Sequence, residues 1–142
     1  RPLQRLLLSP LGAWVARLSS AKRFGQGMAE VFGPNTKPSP QALVDYWTLM
    51  SRQQGQHLLH KHIQYIHERR RQRARWVGAL QHTPVPLSLI DGVYDPVSGA
   101  HMVARFRELL PGRLVTELAC GHFPQVEMPE QVLQALTQHW EK

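Results

Sequence analysis

Residues 85–124 read VPLSLIDGVYDPVSGAHMVARFRELLPGRLVTELACGHFP and change hydrophobic period twice. Val85-Pro-Leu-Ser-Leu-Ile90 is a short apolar run bounded by prolines and Gly92, the pattern of a buried strand. After Ser98, a residue suited to cap a helix, Met102, Val103, Phe106, Leu109 and Leu110 recur at i, i+1, i+4, i+7 and i+8. Pro111-Gly112 then stops the helix, and Leu114–Ala119 offers a second strand. Beyond the quoted stretch, Pro129 opens a last helix with Val132, Leu133, Leu136 and Trp140 on one face. Strand, helix, strand, helix is the order of two parallel neighbouring strands joined by a right-handed crossover, so the expected class is α/β.

In open α/β sheets, ligands bind outside the carboxyl ends of the strands. Two titratable residues stand just past those ends: Asp95 in Asp91-Gly-Val-Tyr-Asp95-Pro, and His122 in Cys120-Gly-His-Phe-Pro124. A carboxylate bonded to one imidazole nitrogen fixes the tautomer and leaves the other nitrogen free as a base. Alone, either residue reads as a loop residue. At matched positions in successive βα units they form a candidate acid–base pair. Cys120 reads as a small buried hydrophobe, not a nucleophile. Glu127 reads as a favourable charge at the start of the last helix.

The residues before this stretch differ in charge and pattern. Residues 1–75 hold 13 basic and 3 acidic side chains, net +10, while 76–142 hold 4 and 7, net −3, together giving the +7 of the chain. Leu3, Leu6, Leu7 and Leu8, then Trp14, Val15 and Leu18, predict two short helices broken at Ser9-Pro10. Gly25–Pro40, with three glycines and three prolines, is expected to be mostly loop. Ser39-Pro40 opens a helix with Leu43, Val44, Trp47 and Met50 on one face, and a longer helix is expected over 56–75. The domain division expected is a helical cap over 1–75 and a strand–helix–strand–helix part over 76–142.

The arginines of Glu68-Arg-Arg-Arg-Gln-Arg-Ala-Arg75 suit a phosphate backbone. No aromatic residue alternates with them and no nucleic-acid module accompanies them, so nucleic acid is not the expected partner. Contact with anionic lipid headgroups through the basic cap fits them better, since the flanking helices are short and amphipathic. His57, His60, His62 and His67 lack a third ligand type at matching spacing, so no metal is expected, and no motif asks for a cofactor. No apolar run reaches the roughly 20 residues of a membrane span. A cytoplasmic or peripheral-membrane location is expected, and a single cysteine adds nothing about compartment. The first residue is not Met, and no acid precedes Glu30. That basic start reads as an amphipathic segment rather than a transit peptide, and the chain as a piece of a longer one.

Trp76-Val-Gly-Ala-Leu80, Pro86–Val97 and Gly121-His-Phe-Pro-Gln-Val-Glu-Met-Pro-Glu130 resemble the last two strands of an α/β-hydrolase. Val31-Phe-Gly-Pro-Asn-Thr-Lys-Pro-Ser39, Tyr65-Ile66 and Arg75-Trp-Val-Gly-Ala-Leu80 are similar to its mesoderm-specific-transcript branch, related to epoxide hydrolases and haloalkane dehalogenases. The resemblance implies the C-terminal part of that fold, with the helical part before it matching the cap. It implies a triad in the order nucleophile, acid, histidine, with Asp95 as the acid and His122 as the base. The substrate implied is a small apolar ester, epoxide or carbon–halogen compound. Trp14, Phe32, Tyr46, Trp47 and Phe123 are the candidate pocket residues, and Tyr46 and Tyr65 the tyrosines available to polarise an epoxide. Neither a Gly-x-Ser-x-Gly elbow nor its Asp-bearing counterpart occurs. The nucleophile and the N-terminal core are therefore expected upstream, and these 142 residues alone are expected to be inactive. Two other functions compete: a non-catalytic binding protein of the same fold, and a basic membrane-surface module.

Overall fold

The computed structural model describes residues 2–140 and divides into two compact units. One holds the residues up to 27 with 39–78, the other 28–38 with the residues from 79 on.

The first unit is helical. Helices Pro2–Leu8 (α1) and Gly12–Arg17 (α2) break at Ser9, whose hydroxyl donates to the Leu6 carbonyl (2.6 Å) and accepts from the Leu11 N–H (3.3 Å). Ala21–Val31 (α3) runs straight through Gly25 and Gly27, where a loop was expected. Glycine costs a helix about 1 kcal/mol per residue. Here Ser20 caps the Arg23 N–H and Phe24 packs on Trp47 with ring centroids 5.7 Å apart, which offsets the cost. Pro40–Ser51 (α4) starts as the sequence asks, with the Ser39 hydroxyl accepting from the Ala42 N–H at 3.1 Å.

The long helix expected over 56–75 is in pieces: a 3₁₀ segment Arg52–Leu58, then Leu59–His62 (α5), Tyr65–Arg71 (α6) and Arg73–Gln81 (α7). Apolar periodicity survives such breaks, which is why it hid them. Tight i→i−3 bonds at Gln64, Ile66 and His67 mark the break between α5 and α6, and Gln53 and Gln54 enter the left-handed region with φ of 51° and 62°.

The second unit carries the sheet. Strands Ser88–Gly92 (β1) and Leu114–Leu118 (β2) pair in parallel, from Ser88 opposite Leu114 to Gly92 opposite Leu118. The ladder begins three residues later than Val85 because Pro86 has no N–H to give it. Ala100–Leu109 (α8) connects the strands, and Pro124–Glu127 (α9) and Pro129–Trp140 (α10) follow, so the mixed strand–helix order matches the sequence reading. Helices α8, α9 and α10 each pack on β1. The core is Phe32, Val103, Leu110, Leu118, Cys120 and Ala135, with Val103 and Cys120 fully buried. Segment 28–38, expected with the basic helices, falls in this unit. Ser98 does not cap α8. Gly99 holds that position, and the Ser98 hydroxyl is spent elsewhere. Among the described residues no helix is long and apolar enough to cross a membrane.

Candidate functional site

The two strands stay bonded beyond their ends. The Val93 N–H donates to the Leu118 carbonyl and the Tyr94 N–H to the Cys120 carbonyl, both at 3.0 Å. This requires glycine at 92: a Cβ there would stand 2.0 Å from the Gly121 carbonyl oxygen. The chain then turns back, with the Asp95 N–H on the Gly92 carbonyl at 3.0 Å. The Asp95 and His122 loops are thereby held together by backbone.

Asp95 and His122 meet in that setting. The Asp95 carboxylate is buried, and its Oδ2 lies 2.7 Å from His122 Nδ1. The same carboxylate accepts the Val97 N–H (2.8 Å), the Ser98 N–H (3.0 Å) and the Ser98 hydroxyl (2.7 Å). Burial works to raise the Asp95 carboxyl, but the bonds from His122, Ser98 and Val97 outweigh it and hold it below its ordinary value. An ionised carboxylate this close needs a proton on Nδ1, which leaves Nε2 as the basic nitrogen. Nε2 has no partner among the described residues, and the imidazole is about one-third exposed. The arrangement suits proton abstraction from water or a hydroxyl.

Of the five aromatics put forward as pocket residues, one meets His122 and a second packs behind it. Phe123 meets the His122 ring edge-on at 4.9 Å and packs on buried Phe32 at 5.3 Å. Trp14, Tyr46 and Trp47 belong to the helical unit: Trp14 is exposed on α2, Tyr46 half-buried on α4, and Trp47 packs on Phe24. Tyr65 is exposed, with the Arg69 guanidinium 5.9 Å from its ring centre. His60 Nδ1 sits 2.8 Å from the His57 carbonyl oxygen, which occupies that nitrogen within the helix.

Cys120 is fully buried, and burial, with Glu127 and Asp91 adding to it, pushes its thiol up to about 11. A thiol-specific aromatic disulfide at neutral pH is expected to leave the native protein unlabelled at Cys120 and to label it after denaturation. Fast labelling of the native state would contradict the burial.

Two residues of the site escaped sequence reasoning. Glu127 does not serve the start of the last helix, which opens at Pro129, but lies in the single turn of α9. It ends α9, and its carboxylate accepts from the N–H groups of Gly33, Gly121 and Phe123 and from the Thr36 hydroxyl. Its signal was an acid close behind a turn whose backbone donors needed an acceptor. Asp91 is the other. It is buried on β1, with Oδ2 lacking a hydrogen-bond partner among the described residues. Burial first, and the neighbouring Asp95 charge second, raise its pKa to about 6.

Asp91 and Asp95 therefore act on stability with opposite sign. Asp95, held low when folded, contributes stability present above the ordinary carboxylate range and lost as pH falls through its folded value. Asp91, held high, costs stability as pH rises from about 4 to about 6, by about 2–3 kcal/mol for such a shift. Asp91→Asn is expected to flatten the fall in unfolding free energy between pH 4 and pH 7, raising stability at pH 7 and leaving pH 4 little changed. Urea titrations at the two pH values test it, and an equal shift at both would overturn the assignment.

Comparison with known proteins finds relatives of this chain. The chain is 39% identical over 136 residues to "Putative hydrolase LipZ" of Mycobacterium tuberculosis, an alignment covering 95% of this chain and 47% of that protein. The likeness takes in nearly the whole chain. It extends to the mesoderm-specific transcript protein of Mus musculus, 35% identical over 141 residues, and to the Homo sapiens homologue, 36% identical over the same length. Those two alignments cover 94% of this chain and 41% of each relative, so the chain spans less than half the length of the curated proteins it matches. No family model matches the chain, and no solved structure does.

Proposed function

We propose that Asp95 and His122 are the acid and the base of a hydrolytic triad whose nucleophile is supplied from outside these 142 residues. The observation that carries the reading is the 2.7 Å contact between Asp95 Oδ2 and His122 Nδ1, with Nε2 left open. A hydrolase named among the relatives supports the reaction class. In this reading an Asp carboxylate displaces halide from carbon or opens an epoxide C–O bond, or a Ser hydroxyl gives its proton to His122 Nε2 and attacks an ester, with His122 returning that proton to the departing alcohol. Either route leaves a covalent ester intermediate. His122 Nε2 then takes a proton from water, which attacks the intermediate, and Asp95 stabilises the imidazolium that forms. Phe32 and Phe123 form an apolar wall beside the base. The helical unit, the residues up to 27 with 39–78, is the cap of the same enzyme in this proposal.

The test is turnover by the full-length protein of short aryl esters, terminal epoxides and haloalkanes, beside its His122→Ala variant. With an Asp nucleophile the reading expects the variant to accumulate a covalent adduct detectable by intact mass. With a Ser nucleophile, whose hydroxyl also needs His122 as its base, it expects no adduct and no turnover. A single turnover in ¹⁸O-water separates the two nucleophiles, because an Asp nucleophile takes up the label and a Ser does not. Turnover that survives His122→Ala at the parental rate would sink the reading.

A further inference from the structure

We propose that Glu127 is the positioning residue of the His122 loop, fixing the backbone that aims the imidazole at Asp95. Three consecutive backbone N–H groups, those of Gly121, His122 and Phe123, all find acceptors from only two sources. Gly121 donates to Glu127 Oε2 at 2.8 Å and Phe123 to Glu127 Oε1 at 3.0 Å, so one carboxylate holds the N–H groups of the residues on both sides of His122. The His122 N–H goes to the Val31 carbonyl at 2.8 Å. Two of these N–H groups converge on one anion, and the anion is the side chain of Glu127 on α9, which directly follows the loop.

The carboxylate also reaches out of the loop. Oε2 accepts the Gly33 N–H at 2.8 Å and the Thr36 hydroxyl, joining residues 33–36 to 121–123. The two segments are in close contact: a Cβ on Gly121 would stand 2.3 Å from the Val31 carbonyl oxygen and 2.5 Å from the Gly33 nitrogen. Four donors on one part-buried carboxylate make a charge-assisted anchor, stronger than neutral bonds of the same number. Burial opposes ionisation of Glu127, but those four bonds hold its pKa below the ordinary value, so the anchor is an anion at neutral pH. Glu127 touches no reacting atom in this scheme. It acts through the direction of the His122 Cα–Cβ bond.

An amide cannot take its place. Glu127→Gln keeps the shape but turns an NH₂ group toward N–H donors, leaving at least one of them unpaired. The test uses full-length protein labelled with ¹⁵N at the histidine rings, with the His122 signals assigned by their loss in His122→Gln. The parent is expected to show one His122 tautomer, protonated at Nδ1 and slow to exchange that proton. In Glu127→Gln the single-tautomer signal is expected to be lost while the circular dichroism stays native. On a substrate of the hydrolytic reading, kcat is expected to fall about 10- to 100-fold with KM nearly unchanged. A natively folded Glu127→Gln protein that keeps the parental His122 ring signals would overturn the assignment.

If Glu127→Gln does not fold, Thr36→Val decides. A shifted His122 signal restored in Thr36→Ser supports the anchor, and an unshifted one overturns it. The kinetic arm rests on the proposed hydrolysis, whereas the ring signals are read without substrate. Native ring signals in an inert parent protein would therefore sink the hydrolytic reading and leave Glu127's role standing.

Discussion

Replacing His122 by alanine in the full-length protein is expected to lower kcat about 1,000- to 10,000-fold, with a much smaller change in KM. In the proposed mechanism the imidazole takes the proton from water, and among the described residues no other histidine ring is bonded to Asp95. His101 acts on Asp91 through its charge, which works to lower the Asp91 pKa, and among the described residues it has no bond to Asp95. Asp95→Asn should cost as much by a different route. An Asn in this place can present its NH₂ to the ring, which favours the tautomer with the proton on Nε2 and removes the base. It also gives up the anion that Val97, Ser98 and His122 are arranged to bind. Because the two residues work as one unit, the double variant should be little worse than either single one. Steady-state kinetics on the three variants checks this. Losses that multiply would mean that Asp95 and His122 act independently.

The largest expected effect on stability belongs to Gly92→Ala. The new methyl would stand 2.0 Å from the Gly121 carbonyl oxygen and 2.8 Å from that of Cys120, both backbone atoms that cannot rotate away. Relief requires the strand ends to separate, which breaks the bonds from Val93 to Leu118 and from Tyr94 to Cys120. A cost of about 4 kcal/mol is expected, enough to lower Tm by roughly 10 °C. The Asp95 and His122 loops part with the strands, so activity should fall further than stability alone explains. Gly27→Ala is the matching control. Nothing lies within 4 Å of a Cβ there and the residue is helical, so the same chemical change should stabilise by about 0.5–1 kcal/mol. Thermal melts of the two proteins decide it, and similar midpoints would remove Gly92 from its role.

The parts of this molecule that were legible in the sequence are those set by short-range patterning. The apolar runs ending at Ile90 and Ala119, with the amphipathic spacing between them, specify a strand, a helix and a strand. A short crossover makes the strands parallel neighbours, which brings Asp95 and His122 to the same edge. What the sequence did not disclose depends on contacts distant along the chain. The bond from Gly33 to Glu127 links residues 94 apart, and no local pattern at either end announces it. Ser98 looked like a helix cap because Asp95 could satisfy it only after the turn had formed. Gly25 and Gly27 looked like loop residues because the packing of Phe24 on Trp47 is invisible to propensity.

The unit bearing Asp95 and His122 is discontinuous in sequence: residues 39–78 form an insertion between 28–38 and the strands. This bears on how the protein can be dissected. A cut at residue 78 yields a strand-bearing half without the Val31 carbonyl, the Gly33 N–H and the Thr36 hydroxyl that seat the His122 loop. The boundary apparent from charge is thus the wrong place to divide the gene. A version that keeps the His122 loop seated retains residues 28–38 and joins them to residue 79 through a new linker.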